Sequence, residues 1–282
     1  MPELPEVETV RRGLAHHTLG REWARVEVVR ASTIASPADP ELFSLGLRGT
    51  KVLNWQRRGK YLLASLGHGD GSTAGHWGVH LRMTGQFLWL DTPSEPCRHT
   101  RVRLWCSGGE ELRFVDTRSF GQMWWIPSSL APEMVMGGLA RLGPEPFAVE
   151  FSDAYLRHRL QHTKRAIKTA LLDQSLVAGV GNIYADECLF VAGIRPQTPA
   201  NQLNGVRLKR LRQALHEVLQ ASIQAGGTTF SNFRHVSGIN GNYGGQSWVY
   251  RRAGEPCRCC GQPIQLNRLG GRSSHWCRQC QT

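Results

Sequence analysis

The sequence predicts an α+β chain of more than one domain. It should have a β-sandwich led by a helix in its N-terminal half, a helical second domain, and a cysteine-bearing hairpin at its C-terminus. Three observations predict this: apolar residues at helical spacing near the start, short β-rich runs broken by Gly, Pro and Ser from Trp23 to Ile126, and five of the eight cysteines within the last 26 residues. At 282 residues with 40% apolar side chains, the chain is long enough to bury two cores.

The elements follow in order. Val7, Val10 and Leu14 recur at helical spacing, with Glu6 and Glu8 in the first turn, Arg11, Arg12, His16 and His17 later, and Gly20 as the stop. Residues 101–106 and 111–115 flank Ser107-Gly108-Gly109 and read as one hairpin of a sandwich domain over 1–136. Residues 137–150, with Gly143-Pro144-Glu145-Pro146, read as an interdomain linker, and 151–246 as the helical domain. There Ser152 and Asp153 cap a short helix, residues 163–172 form a second, and Leu208, Leu211, Leu215, Val218, Leu219 and Ser222 line a long one closed by Gly226-Gly227. Residues 228–245 are rich in Gly, Asn and Ser and are either a tether or a functional loop, while 247–282 hold the cysteine cluster.

Lys and Arg number 34 against 22 Asp and Glu, a net charge of +12, which favours a polyanionic partner through counterion release, nucleic acid first. No run of eighteen apolar residues and no basic amphipathic helix stands out, so a membrane partner is not expected. The start of the chain has neither signal-peptide nor transit-peptide character, and a cytoplasmic protein is expected.

Cys257, Cys260, Cys277 and Cys280 form C-x2-C-x16-C-x2-C, the spacing of a tetrahedral zinc site; a redox pair or a disulfide pair are the alternatives. Four thiolates would leave zinc no open position, so one structural ion is expected and no metal-activated water. Cys259 reads as a bystander. Between the knuckles, Arg268 and Arg272 flank Gly270-Gly271, either as a solvated turn or as cations laid against phosphates.

Position 2 has two readings. Proline starts helices well, and Pro2 followed by Glu3 suits that role. Once Met1 is removed, however, Pro2 is a secondary amine beside a carboxylate. An N-terminal amine titrates near about 8 against about 10.4 for a lysine side chain, so far more of it is neutral and nucleophilic near pH 7. Glu3 would then serve as general acid, and Glu6 would assist or cap the helix.

The string from Pro2 to Leu14 resembles the opening of the formamidopyrimidine-DNA glycosylase family. The resemblance recurs at Gln56–Leu63, His80–Gly85, Asp116–Gly121, Leu142–Pro146, Val180–Ala185 and Gly254–Cys257. It implies a β-sandwich, a helix-two-turn-helix module around residues 177–182, a zinc finger and damaged double-stranded DNA lying between domains, bound by a monomer associated with the nucleoid. It also implies oxidised purines as substrates, a Schiff base from Pro2 to the sugar C1′, Glu3 protonating the ring oxygen, and β,δ-elimination.

The same resemblance makes Lys60, Asn182 and Arg272 phosphate grips, with His80 and Tyr250 as weaker carry-overs, and Lys168 a lysine near the damaged base. Glu6 joins the DNA-contacting set. Met83, Arg118 and Phe120 match the residues that fill the hole left by an extruded nucleotide. Residues 230–248 have the length of a lesion-capping loop. Arg82, Thr84 and Ser119 depart from the family pattern. Two rivals stand beside this reading: an endonuclease VIII-type enzyme for oxidised pyrimidines, disfavoured by Leu4 and the Arg118-Ser119-Phe120 wedge, and an inactive zinc-ribbon DNA-binding protein, disfavoured by Pro2, Glu3 and Lys60.

Overall fold

Helix α1 (Leu4–Thr18) forms where the apolar spacing predicts it. Pro5 lies in its first turn, where a missing N–H leaves no bond unmade, and Glu6 reaches back to accept the Glu3 N–H at 2.9 Å. Val7, Val10 and Leu14 point into the core, and Gly20 ends the run with φ 74°. The computed structural model describes residues 1–228, 236 and 243–282. Packing divides the chain into two units, Met1–Ala140 with Gly226–Gly241, and Arg141–Ala225 with Asn242–Thr282.

In the first unit, α1 is followed by β1 (Trp23–Val28), β2 (Ile34–Ser36), α2 (Pro40–Leu47), β3 (Lys51–Arg58), β4 (Tyr61–Gly67), β5 (Thr73–His80), β6 (Gly85–Leu90), β7 (Thr100–Cys106), β8 (Glu111–Asp116), β9 (Gln122–Ile126), α3 (Pro132–Val135) and α4 (Gly137–Ala140). The strands make two sheets, β1-β7-β8-β6 and β2-β9-β5-β4-β3. Alternation sets their faces: along β4, Leu62, Ala64 and Leu66 are buried between less buried neighbours. Aromatic rings join the sheets. Trp77 of β5 meets Trp23 of β1 at 5.9 Å and Phe87 of β6 at 5.8 Å, both edge-on, with Trp55 of β3 at 5.3 Å.

Register decides which loops share an end of the sandwich. Tyr61 pairs with His80 and His80 with Gln122, while Gly85 pairs with Asp116 in the other sheet. The β3–β4 turn, the β5–β6 connection and the β8–β9 connection therefore leave the sandwich at the same end, the end that carries Lys60, Met83, Arg118 and Phe120.

The second unit contains α5 (Asp153–Leu160), α6 (Ile167–Leu171), α7 (Asn182–Val191), α8 (Gly205–Gln224), β10 (Gln265–Leu269) and β11 (Arg272–Trp276). Ser152 caps α5 through the Tyr155 N–H at 3.1 Å, and α8 buries the predicted stripe before Gly226 and Gly227 turn the chain at φ 76° and 80°. One expectation changes: the helix expected over 163–172 shrinks to α6, because Ala166 bridges Pro199 and the backbones of Thr163 and Arg165 accept bonds from Asn201 and Ala200. Within residues 137–150 the two units divide after Ala140; 137–140 are helical, the Gly143 N–H donates to the Gln174 carbonyl, and the Pro144 carbonyl accepts the Ala178 N–H.

Candidate active site and nucleic-acid surface

Pro2 and Glu3 are buried at the start of α1. Glu6 is 2% exposed and uses both oxygens: Oε2 accepts the Glu3 N–H, while Oε1 accepts the Thr228 N–H at 2.8 Å and its hydroxyl at 3.0 Å. A Cβ on Gly227 would sit 3.0 Å from that same oxygen, and φ is +80° there, so glycine suits both the space and the backbone. Glu6 thus ties the expected nucleophile to the segment that follows α8. One turn on, Glu8 accepts Arg11, Arg12 and Arg57, and Arg57 also donates to the Gly59 carbonyl at 3.2 Å. Burial raises the Glu8 carboxyl, but the three guanidiniums outweigh it and hold it below its ordinary range. Gly59, at φ 57°, makes the two-residue turn that presents Lys60, which is buried at its tip.

The other two loops at this end are organised by Asp116, which is fully buried. Its carboxylate accepts the Gly121 N–H at 2.7 Å, the Arg118 N–H at 3.1 Å and the Thr84 hydroxyl. Met83 and Phe120 stand at 38% and 51% exposure in the loops that its partners shape, and the Arg118 guanidinium lies 4.8 Å from the Phe120 ring centre. His80 is buried, with its pKa pushed down to about 3 by burial first and then by the charges of Arg82 and Lys60. Its Nδ1 accepts the Arg82 N–H at 3.0 Å, so the neutral ring carries its proton on Nε2.

In the second unit, Lys168, Asn182 and Tyr250 contact a set of buried polar groups, and Arg272 lies at the surface on the hairpin beside them. Lys168 is completely buried; its Nζ lies 2.7 Å from Asp186 Oδ1 and donates to the Ser273 carbonyl at 2.5 Å. Both contacts lie within the second unit, and the structure holds no DNA against which the expected place of Lys168 near the damaged base could be read. Asp186 also accepts the His275 N–H at 2.9 Å, with His275 Nδ1 at 3.1 Å and the Ser274 hydroxyl at 3.3 Å. Asn182, the first residue of α7, donates through Nδ2 to the Ser273 hydroxyl at 3.2 Å, and its own Oδ1 is buried with no partner among the described residues. Glu187 accepts the N–H groups of Trp248, Val249 and Tyr250 at 2.7, 2.9 and 2.8 Å; burial raises its carboxyl further than those bonds lower it. The Tyr250 ring packs edge-on against His275 at 5.0 Å. Arg272 is exposed, opening β11 after Gly270 and Gly271 turn the hairpin at φ 54° and 77°.

Asp116, Asp186 and Glu187 were not among the residues singled out from sequence. A signal was available for the last two, since the adjacent acids interrupt an otherwise apolar run from Ile183 to Phe190. Of the expected lesion-capping loop, residues 229–235 and 237–242 lie outside the described residues. Val236 packs into the sandwich core, and its carbonyl accepts the Trp89 N–H at 3.0 Å.

The four cysteine sulfurs all lie within 4.8 Å of one another, with Cys257–Cys280 at 3.8 Å and Cys260–Cys277 at 3.4 Å. A zinc–sulfur bond of about 2.3 Å implies tetrahedral edges of about 3.8 Å, so the set fits zinc as it stands. Within the cluster the thiols shift in opposite directions: burial raises Cys257, but the N–H groups of Cys259 and Cys260 and the neighbouring thiols lower it overall, while burial and neighbouring thiols raise Cys277 and Cys280. Cys259 is exposed and outside the cluster.

Sequence profiles of known families match in the same order: the formamidopyrimidine-DNA glycosylase N-terminal domain over residues 1–123, its H2TH domain over 142–234, and the zinc finger found in FPG and IleRS over 254–282. The formamidopyrimidine-DNA glycosylase of Parasynechococcus marenigrum is 61% identical over 281 residues, covering 100% of both chains. The chain belongs to the formamidopyrimidine-DNA glycosylase family. Solved relatives agree with this fold throughout. A Lactococcus lactis FPG mutant in complex with Fapy-dG-containing DNA is 32% identical with a TM-score of 0.89 over 100% of both chains. The MutM (FPG) protein of Thermus thermophilus is 37% identical with a TM-score of 0.86, covering 99% of this chain and 98% of its own. Family membership makes the chain a DNA glycosylase, and the finger match with the thiol cluster gives it one structural zinc. Among the described residues no helix is long and apolar enough to cross a membrane.

Proposed function

We propose that this glycosylase excises oxidised purines from duplex DNA through a Schiff base on Pro2 and then cleaves the strand at the abasic site by β,δ-elimination. The observation that carries the reading is the buried Pro2-Glu3 start, held by Glu6 through the Glu3 backbone and Thr228. With Met1 removed, burial of the amine favours its neutral form, and Glu3 beside it supplies the proton when the sugar ring opens. Lys60, Arg272, Asn182, His80 and Tyr250 are assigned to the phosphates flanking the extruded nucleotide, and Met83, Arg118 and Phe120 to the gap left in the stack. Lys168 is given a part in placing the hairpin that bears Arg272 instead of a contact to the base. Residues 230–248 are assigned to capping the lesion, and the protein is taken to act as a monomer at the nucleoid. Structures of the Lactococcus lactis relative with Fapy-dG and abasic-site DNA support this substrate class.

The test is borohydride trapping on a duplex with an abasic site, followed by peptide mapping. The adduct should map to Pro2, and protein retaining Met1 should bind without trapping. An adduct on any lysine with Pro2 unmodified overturns the mechanism.

A further inference from the structure

Arg82 and Ser119 have left-handed backbones, φ 54° and 56°, one in each of the two loops that carry Met83 and Arg118-Phe120. Such a backbone is unfavourable for any residue with a Cβ, and arginine lacks the short polar side chain with which Asn or Asp offsets it locally. Arg82 is instead held by two bonds to its surroundings. Its N–H donates to His80 Nδ1 at 3.0 Å, and its Nη2 donates to Gln122 Oε1 at 2.5 Å. Gln122 begins β9 two residues after Phe120 and pairs with His80 across the sheet. On the other side of Met83, the Thr84 hydroxyl oxygen accepts the Arg118 N–H at 3.1 Å. Met83 is therefore flanked by Thr84, bonded to Arg118 within the other loop, and by Arg82, bonded to Gln122 where that loop enters β9.

We propose that Arg82 is a positioning residue that, through Gln122, locks the two loops into one wedge, and that it thereby sets both the rate of base extrusion and the reading of the opposite base. The inference rests on the assignment of Met83, Arg118 and Phe120 to the gap in the stack. Two loops ordered separately on DNA each lose conformational freedom at the moment of insertion, whereas a pair joined beforehand has already lost it. An abasic site in a single strand has no stack to open and no opposite base to read, so the Schiff-base step should not need the lock.

The experiment uses full-length, zinc-loaded enzyme with its native N-terminus, in single-turnover excision of 8-oxoguanine opposite cytosine and opposite adenine, with borohydride trapping on a single-stranded abasic oligonucleotide alongside. Arg82→Gly suits the φ of 54° and should not lower the Tm. Arg82→Gly and Gln122→Ala should each slow duplex excision at least fivefold and shrink the cytosine-over-adenine ratio, and the double variant should be no slower than the slower single one. Gln122→Glu, which keeps an acceptor for Arg82, should retain the wild-type rate, and trapping on the single strand should stay within twofold for every variant. Additive losses, or unchanged duplex rates, overturn the proposal. So does an Arg82→Gly variant that weakens binding to undamaged duplex and lowers its salt slope while Gln122→Ala does not, since Arg82 would then be a phosphate contact. Failure of the wild type to trap or to excise 8-oxoguanine would instead count against the parent assignment.

Discussion

At the scale of single residues, the first unit sets two cations beside a buried imidazole and keeps that imidazole neutral. His80 lies beside buried Lys60 and exposed Arg82, and a protonated imidazole there would add a second buried cation; burial and the two charges keep it neutral. Its folded pKa of about 3 lies below the ordinary value of 6.5, so the unfolded chain binds a proton that the folded one does not once the pH falls below 6.5. The resulting stability is present in full above that pH and is lost as pH falls toward about 3, at about 1.4 kcal/mol per pH unit. Chemical denaturation at pH 7 and pH 5 should therefore show the wild type losing about 2 kcal/mol more than His80→Gln. Equal losses would mean that the imidazole is accessible and titrates normally.

At the scale of elements, the zinc hairpin is held to the helical unit by buried acids on α7. Asp186 and Glu187 between them accept backbone N–H groups of His275 and of residues 248–250, and Lys168 on α6 pairs directly with Asp186 and also donates to the Ser273 carbonyl. Removing one partner of a buried pair leaves the other charge uncompensated. Lys168→Met should cost about 3–5 kcal/mol in the second unit. Lys168→Met with Asp186→Leu should lose less than the two single effects together, because no lone charge remains. Denaturation followed by ellipticity, with zinc release to a chromogenic chelator, measures both. A Lys168→Met protein of full stability that has lost only its activity on intact lesions would return Lys168 to the damaged base.

At the scale of the whole molecule, the charge of +12 implies binding that weakens steeply with salt, by about 0.9 units of log-log slope for each phosphate neutralised. Arg272→Ala should flatten that slope by about one unit, while His80→Gln, which removes no charge, should leave it unchanged. Filter-binding or anisotropy titrations across a salt series check this, and equal slopes for wild type and Arg272→Ala would remove Arg272 from the phosphate contacts.

Most of the fold and much of the candidate chemistry were legible in the sequence because their signals are local. The period of α1, the hairpin around residues 107–110, the paired cysteine knuckles and the Pro2-Glu3 start each lie within a few dozen residues. What the sequence could not settle was the partner of each polar group. Glu6 meets Thr228 across 222 positions, Lys168 meets Ser273 across 105, and Arg82 meets Gln122 across 40. Such pairings depend on strand register and helix packing, which bring distant segments into hydrogen-bonding distance, and no local pattern encodes them. By itself, therefore, the sequence determined which chemical groups the protein carries. Only the tertiary structure decided that Lys168 meets Asp186 and Ser273, that Asp116 accepts from both the Thr84 and the Arg118 loops, that Glu6 accepts from Glu3 and Thr228, and that Arg82 meets Gln122, because each of these contacts is defined by what the side chain is folded against.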